Sequence, residues 1–326
     1  MDSALIQEPI LNHLASVEKV LKQQVPSNVG LSVEILRHLI HKPGKRFRPS
    51  ILLLAALSLK KRGNNQAYFA AASVELLHNA SLIHDDIVDQ ATTRRGLKSA
   101  NKIWGDHATV LAGDYLLAKS LYLVNQCKNH KIMGIVTNSA SELANGQILD
   151  IMLSKRLIPF NKKIYFKMIK LKTASLVSAS AQVGAVLGSN NDSEVNSFKS
   201  YGINLGISYQ LMDDALDLIS TSKKMGKSTM EDLKEGKVTL PILASLANSS
   251  ASSSKKAEAI LVKKKFDRKS LDFLYNFVLE NNGIEDTVEV ARKYSKTAIS
   301  KINFLPDSKY KASLIRLAQD NLIRMS

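Results

Sequence analysis

Three aspartates, Asp85, Asp86 and Asp89, close an apolar run in LIHDDIVDQATTRRG (82–96). The same D-D-x-x-D spacing returns as Asp213, Asp214 and Asp217 in YQLMDDALDL (209–218). On a helix, the first and last acids of each triplet stand at i and i+4, one turn apart on one face, where like charges repel. Each triplet therefore calls for a cation. The donors are hard oxygens with no histidine or cysteine set around them. That suits Mg²⁺, which takes one or two carboxylates, keeps waters and completes its shell with phosphate oxygens. Zinc would want nitrogen or sulfur. A single triplet is equally an exposed acidic turn, but two copies flanked by Leu, Ile and Val argue against that.

Basic side chains accompany the acids. GKRFRP (44–49) places Lys45 and Arg48 at i and i+3, entering a helix, and His78 stands seven residues before Asp85. Arg94 and Arg95 follow the first triplet, Lys172 opens KTAS, and Lys227 and Lys237 bracket GKSTMEDLKEGK. Guanidinium forks and ammonium groups hold diphosphate oxygens. Each cation alone reads as a surface charge; their grouping around two acid triplets gives them a common task.

The elements that must position these groups are helices. Periods of 3.6 run through 48–61, 66–89, 107–127, 132–153, 161–188 and 193–219, then through 239–248, 253–264, 269–280, 285–303 and 308–324. Breaks fall at Gly96, Pro159, 188–191, the 220–238 loop, Pro306 and a Ser-rich stretch at 249–254 that reads as a short flexible connection. None is long enough to link domains, and no strand-like alternation persists. The expectation is one all-α domain spanning 1–326.

Bulk properties narrow the class. Fifteen glycines and seven prolines in 326 residues are few for a β-rich protein. One cysteine, Cys127, excludes an internal disulfide and fits a reducing, cytoplasmic setting. The N-terminus reads as an amphipathic helix, without the basic start of a signal peptide. No apolar run reaches the roughly 18 residues of a membrane span. The net charge of +16 suits nucleic acid, an anionic membrane or a phosphorylated substrate. The lysines are scattered and aromatics are only 6%, so nucleic acid is set aside.

The stretches GKRFRP, LLHNASLIHDDIVDQATTRRG, GDYLLA, KTAS, YQLMDDALD and GKSTMEDLKEGKVTLP resemble the trans-isoprenyl diphosphate synthases, the polyprenyl synthetase family. They occur in family order over about residues 40–245, while the N-terminal helix and the C-terminal part add only helical content. The resemblance implies a helical bundle of the isoprenoid synthase type around a deep central cavity, a homodimer and Mg²⁺ as cofactor. It implies that an allylic diphosphate ionises, isopentenyl diphosphate attacks and a proton is lost. Carried over by position, Asp85, Asp86 and Asp89 hold metal on one side of the allylic diphosphate, and Asp213, with Asp214 and Asp217, on the other. Arg94, Lys172 and Lys227 contact that diphosphate. Lys45, Arg48, His78 and Arg95 form the metal-free isopentenyl diphosphate site. Thr173 and Gln210 sit near the reacting carbons, and Lys237 joins the diphosphate contacts. One departure stands out: Met230 occupies a position where the family usually has glycine, which strains the loop if φ is positive there.

Product length depends on what lies below the first triplet. Ala80 and Ser81, one turn back from Asp85, are small, where short-chain members carry an aromatic. The expected product is longer than a farnesyl chain. Leu117, Leu121 and Val124 are spaced to form the next floor, or simply to pack the core. The resemblance favours an octaprenyl-type synthase making quinone side chains, with transient membrane contact for product release. A geranylgeranyl diphosphate synthase is the alternative, and a non-catalytic subunit of a heteromeric synthase a further one. A terpene cyclase would carry a different second metal motif and lack GKRFRP.

Overall fold

The structure, a computed structural model, describes residues 3–24, 29–41, 44–59, 65–94, 96–223, 230–264 and 266–323. Its helices run in chain order α1 (Ser3–Gln7), α2 (Leu11–Gln23), α3 (Gly30–His41), α4 (Phe47–Ser58), α5 (Asn65–Val88), α6 (Ala100–Gln126), α7 (His130–Ser154) and α8 (Lys162–Ile169). They continue with α9 (Ser175–Gly188), α10 (Asp192–Lys223), α11 (Glu231–Lys234), α12 (Leu240–Asn248), α13 (Ala251–Lys263), α14 (Arg268–Glu280), α15 (Gly283–Ser300) and α16 (Lys309–Ile323). The expected all-α architecture is present. Among the described residues the β structure is a two-residue antiparallel ladder, β1 (Thr93–Arg94) with β2 (Leu97–Lys98).

Burial explains the arrangement. Every residue from Pro49 to Ser58 of α4 is buried, as are Ala70–Leu77 of α5 and Ala174–Ala181 around the start of α9. A helix that is apolar all round belongs inside, so α4, α5 and α9 form the centre. Around them, α2 packs on α5, α6 runs along α5, and α10 packs on α9 and α15. The amphipathic helices α13–α15 close a second cluster around Leu274, Phe277 and Leu261. No helix among the described residues is long and apolar enough to cross a membrane.

Several elements differ from the periodic reading. The helix expected over 161–188 is interrupted by a π-helical turn, Lys170–Ala174, between α8 and α9. The turn is closely packed: a Cβ on Gly146 of α7 would lie 2.4 Å from the Lys172 nitrogen, and one on Gly206 of α10 would lie 2.6 Å from the Ala174 Cα. Two helices thus press on the turn from separate directions. Helix α6 begins before residue 107 and kinks at Gly105 (φ 79, ψ 164). The Ser-rich stretch is not a flexible connection: Ser250 accepts a hydrogen bond from the Ser253 amide and caps α13, which starts at Ala251.

Candidate active site

Asp85 and Asp86 of the first triplet sit on the last turn of α5, and Asp89 directly follows it. Gln90 follows in the left-handed region (φ 52). The Gln90 amide donates to the Ile87 carbonyl at 3.2 Å and the Ala91 amide to the Asp86 carbonyl at 2.9 Å. This left-handed cap ends the helix and fixes the acids on its C-terminal turn. Carboxylates there oppose the helix dipole, which adds to their mutual repulsion and to their need for a cation.

The three acids then diverge. Asp85 and Asp89 line a cavity of about 240 Å³, and Asp85 also lines an adjoining one of about 580 Å³. Burial pushes the Asp85 carboxyl up to about 6. Asp86 is buried in a forked pair with Arg94, whose Nε donates to its two oxygens at 2.8 and 3.1 Å. Arg94 is carried there by the β1–β2 turn.

The second triplet, on α10, is divided as well. Asp213 lines the larger cavity with Asp85, whereas Asp214 lines the smaller one. Both Asp214 oxygens are occupied: Gln210 Nε2 donates at 2.8 Å and the Tyr165 hydroxyl donates to the other. Burial and the nearby Asp232 push the Asp214 carboxyl up. Asp217 is half-buried and lines neither cavity. Among the described residues, no three histidine, cysteine or carboxylate side chains form a ready-made metal cage.

The π-turn brings Lys172 and Thr173 to both cavities. Such turns recur at functional sites because they re-aim side chains within a helix. Lys172 Nζ donates to Asp150 Oδ2 at 2.6 Å. Thr173 Oγ1 donates to Gln210 Oε1 at 2.6 Å, which orients the amide so that its nitrogen faces Asp214. The Thr173–Gln210–Asp214–Tyr165 chain joins three elements into one fixed wall.

The cations fall into two groups. Lys45, Arg48 and His78 line the larger cavity. Arg48 Nε is buried without a hydrogen-bond partner, so that donor is unspent. Burial lowers the Arg48 pKa. Lys237 lines the smaller cavity, 3.7 Å from Asp89 and 4.0 Å from Asp232. Burial opposes its charge, but Asp232, Glu235 and Asp89 outweigh that and raise its pKa. Arg95 and Lys227 lie outside the described residues. Of the length-setting candidates, Ser81 lines the larger cavity. Ala80 and Val124 are buried in the main core and Leu117 packs against it. Leu121 is half-buried, and neither leucine lines the two cavities.

Sequence reasoning missed Asp150 and Asp232, single acids outside any repeated motif. Burial pushes the Asp232 carboxyl up against the pull of Lys237. Gln147, one turn before Asp150, has both amide atoms buried without partners. Arg156 was missed too. It donates to the carbonyls of Leu153, Gly236 and Leu261 at 2.8, 2.6 and 3.1 Å, fixing the turn before Lys237. An acid within an apolar helix, as in GQILDI, is the signal that would have found Asp150.

An acid triplet at the end of α5 and a second within α10, around a cavity lined by cationic side chains in an all-α bundle, fit a class of enzyme that handles diphosphates of apolar substrates. The family model for polyprenyl synthetases matches residues 30–278. The chain is 34% identical over 295 residues to the geranylgeranyl diphosphate synthase of Saccharolobus solfataricus, covering 88% of each. It is 32% identical over 309 residues to the octaprenyl diphosphate synthase of Haemophilus influenzae, covering 94% of this chain and 92% of the relative. A polyprenyl synthase from Caulobacter crescentus, solved with calcium and isoprenyl diphosphate, superposes with a TM-score of 0.92 at 29% identity, covering 100% of this chain and 98% of that one. This chain belongs to the polyprenyl synthetase family and is a prenyltransferase with the all-α fold of the isoprenoid synthases.

Proposed function

We propose that the chain extends an allylic diphosphate, farnesyl or geranylgeranyl, with isopentenyl diphosphate to a long all-trans polyprenyl diphosphate, for quinone side chains. The observation that carries this reading is that Asp85, Asp213, Lys172, Lys45, Arg48 and His78 share one cavity, with Leu82, Leu143 and Val177 in its wall.

Mg²⁺ is the metal we assign. Asp85 and Asp89, a turn apart, and Asp213 offer only carboxylate oxygens, too few to enclose an ion. Such a set fits a metal that keeps waters and takes phosphate oxygens. Bound there, Mg²⁺ supplies neutralisation of the charge that develops on the leaving diphosphate. Lys172 and Lys237 add fixed positive charge beside it, where preorganised groups act without reorganisation. Arg94, paired with Asp86, keeps the metal-bearing turn in place and can share its guanidinium with the diphosphate. Lys45, Arg48 and His78 hold the second diphosphate without metal. The Thr173 hydroxyl and Gln210 amide face the reacting carbons with fixed dipoles. The apolar wall keeps water from the carbocation.

The chain acts as a cytoplasmic homodimer in this reading. Val110, Leu111 and Tyr122 of α6 and Ile148 of α7 are exposed, which supports a partner surface. Incubation with isopentenyl and farnesyl diphosphates, followed by product sizing, tests the proposal. Products beyond geranylgeranyl length are expected. Arrest at that length gives the second reading, which the Saccharolobus relative favours; no condensation by the pure chain overturns both.

A further inference from the structure

The cation-bearing stretch 44–48, a short loop that runs into the start of α4, is held from outside the region that the family model matches, which starts at residue 30. Gln7, at the end of α1, donates through Nε2 to the Lys45 carbonyl at 2.6 Å and to Ser50 Oγ at 3.0 Å. Arg46 stands between Lys45 and Arg48 in the left-handed region (φ 50, ψ 36). A non-glycine residue there is strained and persists only where its surroundings hold it. The surroundings are two carboxylates. Arg46 Nη1 donates to Glu75 Oε1 at 2.7 Å, while Nε and Nη2 fork onto the two oxygens of Glu18.

Arg46 is 8% exposed, with its charge committed to Glu18 and Glu75. Although it lines the larger cavity along with Lys45, Phe47 and Arg48, it is therefore a poor candidate for holding substrate. Its role is geometric. Glu18 is not needed to dock α2, because Leu14, Val17 and Leu21 of that helix are buried in the core on their own account. The Glu18 side chain is 33% exposed and reaches inward to one partner.

We propose that Glu18 and Gln7 are positioning residues: through Arg46 and the Lys45 carbonyl, the N-terminal helices fix the loop that presents Lys45 and Arg48 to a substrate diphosphate. The inference rests on the assignment of Lys45 and Arg48 to the isopentenyl diphosphate subsite. It makes affinity for that substrate depend on residues that touch neither substrate.

Steady-state kinetics with both substrates varied tests this on the full chain, with Lys45→Ala as the reference. Glu18→Ala is expected to raise the KM for isopentenyl diphosphate about tenfold, with kcat and the allylic KM within about twofold. Glu18→Gln keeps the shape and one acceptor, so it should restore most of the affinity. A folded Glu18→Ala protein with unchanged KM values overturns the proposal, as does an equal rise in both constants. If Glu18→Ala does not fold, Gln7→Ala decides on the same split. Should Lys45→Ala raise the allylic KM instead, the subsite assignment fails. The positioning role then still stands if Glu18→Ala raises that same constant, and falls if it does not.

Discussion

Asp85 lines both cavities and Asp213 shares the larger one with it, so these two acids carry the sharpest test at the scale of single residues. If Asp85 and Asp213 hold the proposed Mg²⁺, Asp85→Ala or Asp213→Ala should each lower kcat by about a thousandfold or more, through lost charge stabilisation. Circular dichroism should be unchanged, and unaltered turnover in both variants would remove the metal assignment. Met230 offers a test of opposing terms. It sits at φ 23, 1% exposed, packed with Leu218, Leu233 and Phe277. Met230→Gly relieves strain of about 1–3 kcal/mol. It also loses a buried side chain whose truncation costs about 2–5 kcal/mol, and glycine adds about 0.5–1 kcal/mol of entropy. Burial wins, so the variant should be less stable by about 2 kcal/mol in urea unfolding. A gain in stability would show that strain dominates.

At the scale of elements, the π-turn is the device that aims Lys172 and Thr173. Gly146 lets α7 approach it, and any Cβ there meets backbone rather than a movable side chain. Gly146→Ala should therefore displace the turn, cutting kcat at least tenfold and costing about 1–3 kcal/mol through overpacking. Assay and thermal melt together check this; full activity would mean that the turn tolerates the shift. Helix α2 carries a second test. His13 Nδ1 is 2.9 Å from the Tyr68 hydroxyl of α5. Burial, aided by Lys309, lowers the His13 pKa below the ordinary histidine value. The unfolded chain then takes up its proton first as pH falls. The stability associated with neutral His13 is present above about pH 6.5 and is lost below it, towards the lower folded pKa. His13→Gln should flatten that part of the stability profile. These elements also mark the limits of the sequence. The acid triplets announced themselves because their spacing is repeated and local. The π-turn did not, because it lies in a run with ordinary helical period and the two glycines that pack against it, Gly146 and Gly206, are far along the chain. Glu18 and Arg46 meet across 28 residues, and nothing local in either segment signals the contact.

Across the whole molecule, the ionic and apolar parts of the cavity divide the labour, and product length is argued at their boundary. One turn before Asp85 the periodic reading named Ala80 and Ser81 together, but the bundle separates them. Ala80 is 2% exposed and belongs to the main core, whereas Ser81 lines the larger cavity with Leu82, Leu143 and Val177. The Ser81 hydroxyl donates to the His78 carbonyl of its own helix at 2.8 Å. It is thus satisfied locally and presents little bulk or unmet polarity to an apolar chain. Enlarging the two residues should have different consequences. Ser81→Phe places a ring in the cavity below the first acid triplet and should shorten the products, with condensation of the first isopentenyl unit retained and melting little changed. Ala80→Phe forces a ring into filled core, where overpacking costs about 1–3 kcal/mol, and should lower the melting point before it alters product length. Product sizing and thermal melts on the same two proteins separate the cases. Unchanged products in Ser81→Phe would move the length-setting floor elsewhere, to the α6 side of the bundle where Leu117 and Leu121 lie.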